Sequence, residues 1–143
     1  MELADRLASL DISIATSVPI GRGVMPIPLL QKQGVNVLLG NDSITDHWSP
    51  FGVGDILQKA HLAAQLYNWS NEYNLSRALS LATGGITPLD EFGKQIWPKV
   101  GDVATAVLVP ASCSAEAVAR LPKRTAVLHK GNLSWGSLER SDA

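Results

Sequence analysis

The sequence predicts an α/β protein with parallel strands, followed by a small β segment. Three observations carry this prediction. Two short β-rich runs, 12–18 and 35–39, are each followed by segments of helical spacing, the arrangement of a parallel sheet joined by helical crossovers. The second run, Val35-Asn36-Val37-Leu38-Leu39, is nearly continuous in apolar residues, as in strands buried on both faces. From Trp97-Pro98 onward the chain changes to short strand-like runs separated by turns.

Each element has its own signal. Leu3, Leu7 and Leu10 make one stripe of a short first helix. The β-rich run 12–18 is stopped by Pro19, and Gly21 and Gly23 open a loop. Residues 26–33 are expected to form a short helix closed by Gly34, glycine being the usual residue where a helix ends left-handed. The strand 35–39 ends in Gly40-Asn41-Asp42-Ser43, and the polar, irregular stretch 44–53 is a loop. Ile56, Leu57, Ala60, Ala63, Ala64 and Tyr67 place a helix over 54–67, and a second spans 71–82, ending before Gly84-Gly85. Thr87-Pro88-Leu89-Asp90 offers a capping oxygen, a proline for the first helical position and an acid in the first turn, predicting a third, short helix to Gln95. Beyond it, 103–109 reads as a strand and 114–121 as a short helix. Residues 125–129 and 132–135 then read as a hairpin about Lys130-Gly131. The stretch 98–101 divides an α/β part, 1–97, from a β part, 98–143.

Composition narrows the function. With 45% hydrophobic and 17% charged residues, 143 residues build the core of one ordinary domain. The formal charge of −1, with Lys123-Arg124 as the densest basic spot, excludes a broad phosphate-binding surface, so no nucleic-acid partner is expected. A single cysteine, Cys113, has no identifiable base beside it and rules out both an intrachain disulfide and a thiolate zinc cluster. The start, Met1-Glu2-Leu3-Ala4-Asp5-Arg6, lacks the apolar region of a signal peptide, and no run approaches the roughly 18–20 apolar residues of a membrane span. A cytoplasmic protein with no membrane partner is expected.

In parallel α/β architectures, chemistry gathers at the carboxyl ends of strands, and Asp42 occupies such a position. On its own it reads rather as a strand-end acid capping the next turn. The surrounding run, Gly34-Val35-Asn36-Val37-Leu38-Leu39-Gly40-Asn41-Asp42-Ser43-Ile44-Thr45-Asp46-His47-Trp48-Ser49-Pro50-Phe51-Gly52, resembles the last barrel strand and following loop of cytosine deaminase-like amidohydrolases. The similarity continues through Gly84-Gly85 to Gly101-Asp102-Val103-Ala104-Thr105-Ala106-Val107-Leu108-Val109 and Lys130-Gly131-Asn132, which are similar to the family's C-terminal strands.

That resemblance implies a (β/α)8 TIM-like barrel with a small β-sandwich domain. Residues 1–97 then correspond to the last two strand–helix units, and residues 98–143 to C-terminal strands of the sandwich. It also implies a divalent metal ion (zinc, iron or manganese) held in the complete enzyme by a His-x-His pair, a further histidine and the strand-end carboxylate. Asp42 is by resemblance that carboxylate, both metal ligand and proton shuttle. Trp48 matches a tryptophan lying against the substrate ring; read from the residues alone, it anchors the loop on Pro50 and Phe51 instead. Ser43 stands beside that ring where cytosine deaminase has an acid, and Asn41 replaces a histidine. The reaction implied is hydrolysis of a C–N bond in a small nitrogenous heterocycle or related amide.

The metal set is incomplete in this sequence. It contains no His-x-His pair, and its three histidines are His47, His61 and His129. Of these, His47 lies near Asp42 in sequence and reads as a surface or supporting residue. His61 reads as an interface group within a helix. Asp46 reads as a loop brace. A catalytic zinc-type site takes about three protein ligands, and a whole barrel takes roughly 250 residues. Both counts predict a C-terminal fragment, inactive as this chain alone and without tightly bound metal. Its expected partners are a small-molecule substrate and either the missing N-terminal barrel portion or further copies of itself. The alternative expectation is a non-enzymatic remnant or regulatory subunit that associates with a fuller homologue.

Overall fold

A computed structural model describes residues 2–138 apart from positions 22, 43, 45–50, 52 and 91. The elements are α1 (Glu2–Ser9), β1 (Ile14–Thr16), α2 (Ile27–Lys32), β2 (Val37–Leu39), α3 (Ile56–Leu66), α4 (Glu72–Ala82), β3 (Ala106–Leu108), α5 (Ser114–Arg120), β4 (Ala126–His129) and β5 (Asn132–Gly136). β1 and β2 form a parallel pair with Ile14, Ala15 and Thr16 opposite Val37, Leu38 and Leu39. The strands β3, β4 and β5 form an antiparallel sheet in that order, with an irregularity between Val127 and Leu128.

The first four helices end in the same way. In each, a residue with positive φ follows the helix, and the next N–H returns to a carbonyl five residues back: Ile12 to Leu7, Val35 to Leu30, Trp69 to Ala64 and Gly85 to Ser80. The turning residues are Asp11, Gly34, Asn68 and Gly84. This double-turn closure satisfies carbonyls that the helix leaves without donors. Asp55 and Asn71 start α3 and α4 by accepting the Leu57 and Asn74 N–H groups. At α5 the Glu116 carboxylate reaches back to both the N–H and the hydroxyl of Ser112. Those bonds pull its pKa below the ordinary carboxylate value.

Residues 87–95 are not the expected helix. The Asp90 carboxylate accepts the N–H groups of Phe92 and Lys94, both at 2.9 Å, and Leu89 pairs with Gln95 across the resulting turn. An aspartate that bonds its own downstream backbone offers the chain a turn in place of a helix, and Gly93 completes it at a φ of 80°. The remaining expected elements form, with the strands shortened at their ends except β5, which runs one residue further, to Gly136.

The core gathers Ile27 and Leu30 of α2, Val37 and Leu39 of β2, alanines of α3 and α4, and Val118 of α5. α5 therefore packs against α3 and α4, although it lies in the C-terminal part of the chain. Among the described residues no helix is long and apolar enough to cross a membrane.

Candidate functional site

The parallel register brings the carboxyl ends of β1 and β2 level. Gly40 N–H extends the ladder by donating to the Thr16 carbonyl at 2.9 Å. At the opposite end the Ile14 N–H bonds the Asn36 carbonyl, and the Asn36 side chain bonds Ser13. Both strands leave the sheet through left-handed residues, Val18 at a φ of 55° and Asp42 at 62°. Asp42 is exposed and Asn41 half-buried, so the carboxylate is open to solvent at the strand end. Buried Thr16 accepts the Val18 N–H on its hydroxyl at 3.1 Å, holding the turn out of β1.

Beside that turn lies a small cavity of about 10 Å³, no larger than a water molecule needs, whose lining includes Thr16, Val18, Met25, Ile27, Leu66 and Tyr67. Its walls are largely apolar, and Asp42 is not among them. The Tyr67 hydroxyl donates to the Met25 carbonyl, and its ring stacks on Trp69 with centroids 4.9 Å apart. Burial raises the Tyr67 pKa above its ordinary value, opposed by a hydrogen bond with the Ile27 backbone. That phenol is spent on holding α3 to α2.

The loop after Asp42 is anchored where it rejoins the fold. The side chain of Ile44 lies over Gly54, where a Cβ would meet Ile44 Cδ1 at 3.0 Å, and Gly54 itself has a φ of 69°. The next residue, Asp55, caps α3 and also pairs with Arg124, which arrives from the segment between α5 and β4. Neither Asp55 nor Arg124 was singled out for this pairing by sequence reasoning. An aspartate immediately ahead of a helical pattern was the available signal for the cap; no local signal links position 55 to position 124.

Of the expected site residues, Asp42 lies at the strand end, while Ser43 and Trp48, with Asp46 and His47, lie outside the described residues. His61 is committed elsewhere, its Nδ1 lying 2.8 Å from the Val118 carbonyl, and His129 ends β4. Among the described residues no three His, Cys, Asp or Glu side chains converge, so these residues do not form a metal-binding set. Asp42 supplies one carboxylate where a closed ligand set takes about three or four donors.

Residues 2–104 match the sequence profile of the amidohydrolase family. The chain belongs to that family. The matched region takes in α1 to α4 and stops before β3. This amidohydrolase chain is 58% identical over 137 residues to the uncharacterized protein YahJ of Escherichia coli (strain K12), covering 96% of the chain and 30% of YahJ. It is 27% identical over 109 residues to N-isopropylammelide isopropyl amidohydrolase of Pseudomonas sp. (strain ADP), covering 76% of the chain and 27% of that protein. The fold superposes on N-isopropylammelide isopropylaminohydrolase from Burkholderia multivorans ATCC 17616 with a TM-score of 0.75 at 29% identity, over 92% of this chain and 34% of that one. It superposes on 5-methylcytosine deaminase from Klebsiella pneumoniae with a TM-score of 0.74 at 20% identity, over 99% and 38%. The chain thus spans about a third of the length of the proteins it matches.

Proposed function

We propose that this chain forms the closing part of a (β/α)8 amidohydrolase barrel, with β1 and β2 as its last two strands. In this reading residues 1–97 belong to the barrel and 98–143 to a β-sandwich. The assembled enzyme, in the cytoplasm, hydrolyses a C–N bond in a small nitrogenous heterocycle or related amide. The observation that carries the reading is Asp42, a solvent-exposed carboxylate just past the carboxyl end of a parallel strand in a chain of this family. The substrate named for the Pseudomonas relative, N-isopropylammelide, supports the choice of compound class.

Asp42 acts as general base and then general acid. One carboxylate oxygen takes a proton from the attacking water as its oxygen bonds to the ring carbon, and returns it to the departing nitrogen as the C–N bond breaks. Ser43 and Trp48 border the substrate. A divalent ion (zinc, iron or manganese) belongs to the same proposal, with its remaining ligands on residues beyond those described. So does a partner, either a polypeptide carrying the first six strands or further copies of this chain.

The test is a chimera in which this chain replaces the corresponding segment of YahJ, assayed for amine release from N-isopropylammelide and ammonia release from 5-methylcytosine. Asp42→Asn is the informative variant, because asparagine tolerates the left-handed backbone that Asp42 adopts. We expect turnover to fall at least about a hundredfold. Retained turnover in Asp42→Asn removes Asp42 from the mechanism. A folded chimera without turnover on either compound, together with binding of the separate chain to intact YahJ, favours the second reading, a non-enzymatic subunit. That reading draws on Asp42 joining no group of three metal-ligating side chains among the described residues.

A further inference from the structure

We infer that Arg124 is a positioning residue for the loop that begins at Asp42, acting through Asp55. The inference rests on the reading of Asp42 as the reactive carboxylate, but its evidence is separate. Two features close the neck of the loop. Ile44, two residues past Asp42, packs over Gly54, which has no side chain to hold it off and sits at a φ of 69° that other residues rarely adopt. Asp55 then fixes the direction in which the chain enters α3, its Oδ1 accepting the Leu57 N–H at 2.9 Å.

The same Oδ1 is the atom that Arg124 contacts. A guanidinium there strengthens the cap electrostatically and prevents the carboxylate from rotating away from the Leu57 N–H. Arg124 stands 69 residues further along the chain, between α5 and β4. The loop is thereby held at its base by the C-terminal segment. Both side chains are partly screened from water, at 30% and 21% exposure, so the pair is stronger than a fully solvated one. Only one guanidinium nitrogen, Nη2, makes the contact, and a lysine ammonium can replace a single-point donor of this kind.

Amide hydrogen exchange of the full chain tests the inference. Arg124→Ala is expected to raise exchange across 53–59 by about threefold to fivefold, the range of an ion pair worth up to about 1 kcal/mol, with the β4–β5 amides unchanged. Asp55→Asn keeps an acceptor for the cap but loses the charge, and should give the same pattern. The double variant should add nothing to either single change, since both remove one interaction. Arg124→Lys should restore protection. Exchange across 53–59 that stays at its original rate in Arg124→Ala overturns the inference, as does a uniform rise over all amides, which marks a general loss of stability. Because the readout needs neither metal nor turnover, failure of the clamp and failure of the Asp42 mechanism are distinguishable.

Discussion

A valine at a φ of 55° directly before a proline is held where its branched side chain and the following ring both disfavour it. Val18 stays there because its N–H is bound to the Thr16 hydroxyl and its side chain is 5% exposed in the core. Strain of about 1–3 kcal/mol is opposed by a similar gain, about 1.5–3 kcal/mol, from burying the side chain. Val18→Gly removes both contributions and should leave stability within about 1 kcal/mol of the original. Val18→Ala loses most of the burial and keeps most of the strain, so it should be the less stable variant. Urea unfolding decides between them; an alanine variant more stable than the glycine one shows that no strain is stored at this position. Nothing in the sequence signalled this conformation, since Pro19 argues for an extended residue before it. Asp42 is the opposite case. A polar Gly-Asn-Asp tip after an apolar run marks a strand end in the sequence, and aspartate is among the few residues that readily enter the left-handed region.

Helices α3 and α4 were legible as elements because a stripe repeating every three or four residues is ordinarily buried, as theirs is, whereas the stripe of α1 leaves Leu3 and Leu10 exposed. Residues 87–95 were misread for a reason of the same kind: Thr-Pro-x-Asp serves a helix start or a turn, and Gly93 decided for the turn. What no periodicity revealed was how α5 is held. Its Val118 carbonyl would ordinarily receive an N–H from four residues on, but that position is Pro122, which has none. His61 of α3 supplies the missing donor through Nδ1, which must carry the hydrogen because a carbonyl only accepts. His61→Leu should therefore cost about 1–2 kcal/mol, the usual penalty for a partly buried acceptor left without its donor. It should also speed tryptic cleavage after Arg120 in the last turn of α5. Unchanged stability and cleavage would show that small-residue packing against α4 suffices to dock the helix.

At the scale of the whole molecule, the parallel pair is covered on one face only. Thr16, Val37 and Leu39 are buried toward the helices, whereas the register partners Ala15 and Leu38 point to the other side, Ala15 exposed and Leu38 half-buried. Parallel strands are ordinarily covered on both faces, a two-stranded sheet is marginal by itself, and strand edges without partners invite further pairing. The proteins this chain matches are about three times its length, which leaves room for what covers that face in them. For the chain alone, the expected consequence is concentration-dependent association, seen in sedimentation velocity as a weight-average mass rising above 15.2 kDa. Ala15→Lys places a charge at the centre of the open face, opposite Leu38, without touching the buried side. It should return the chain to a monomer while leaving its helical circular dichroism unchanged. Association that persists in Ala15→Lys must run through another surface, and the open face of the β1–β2 pair would then have no part in assembly.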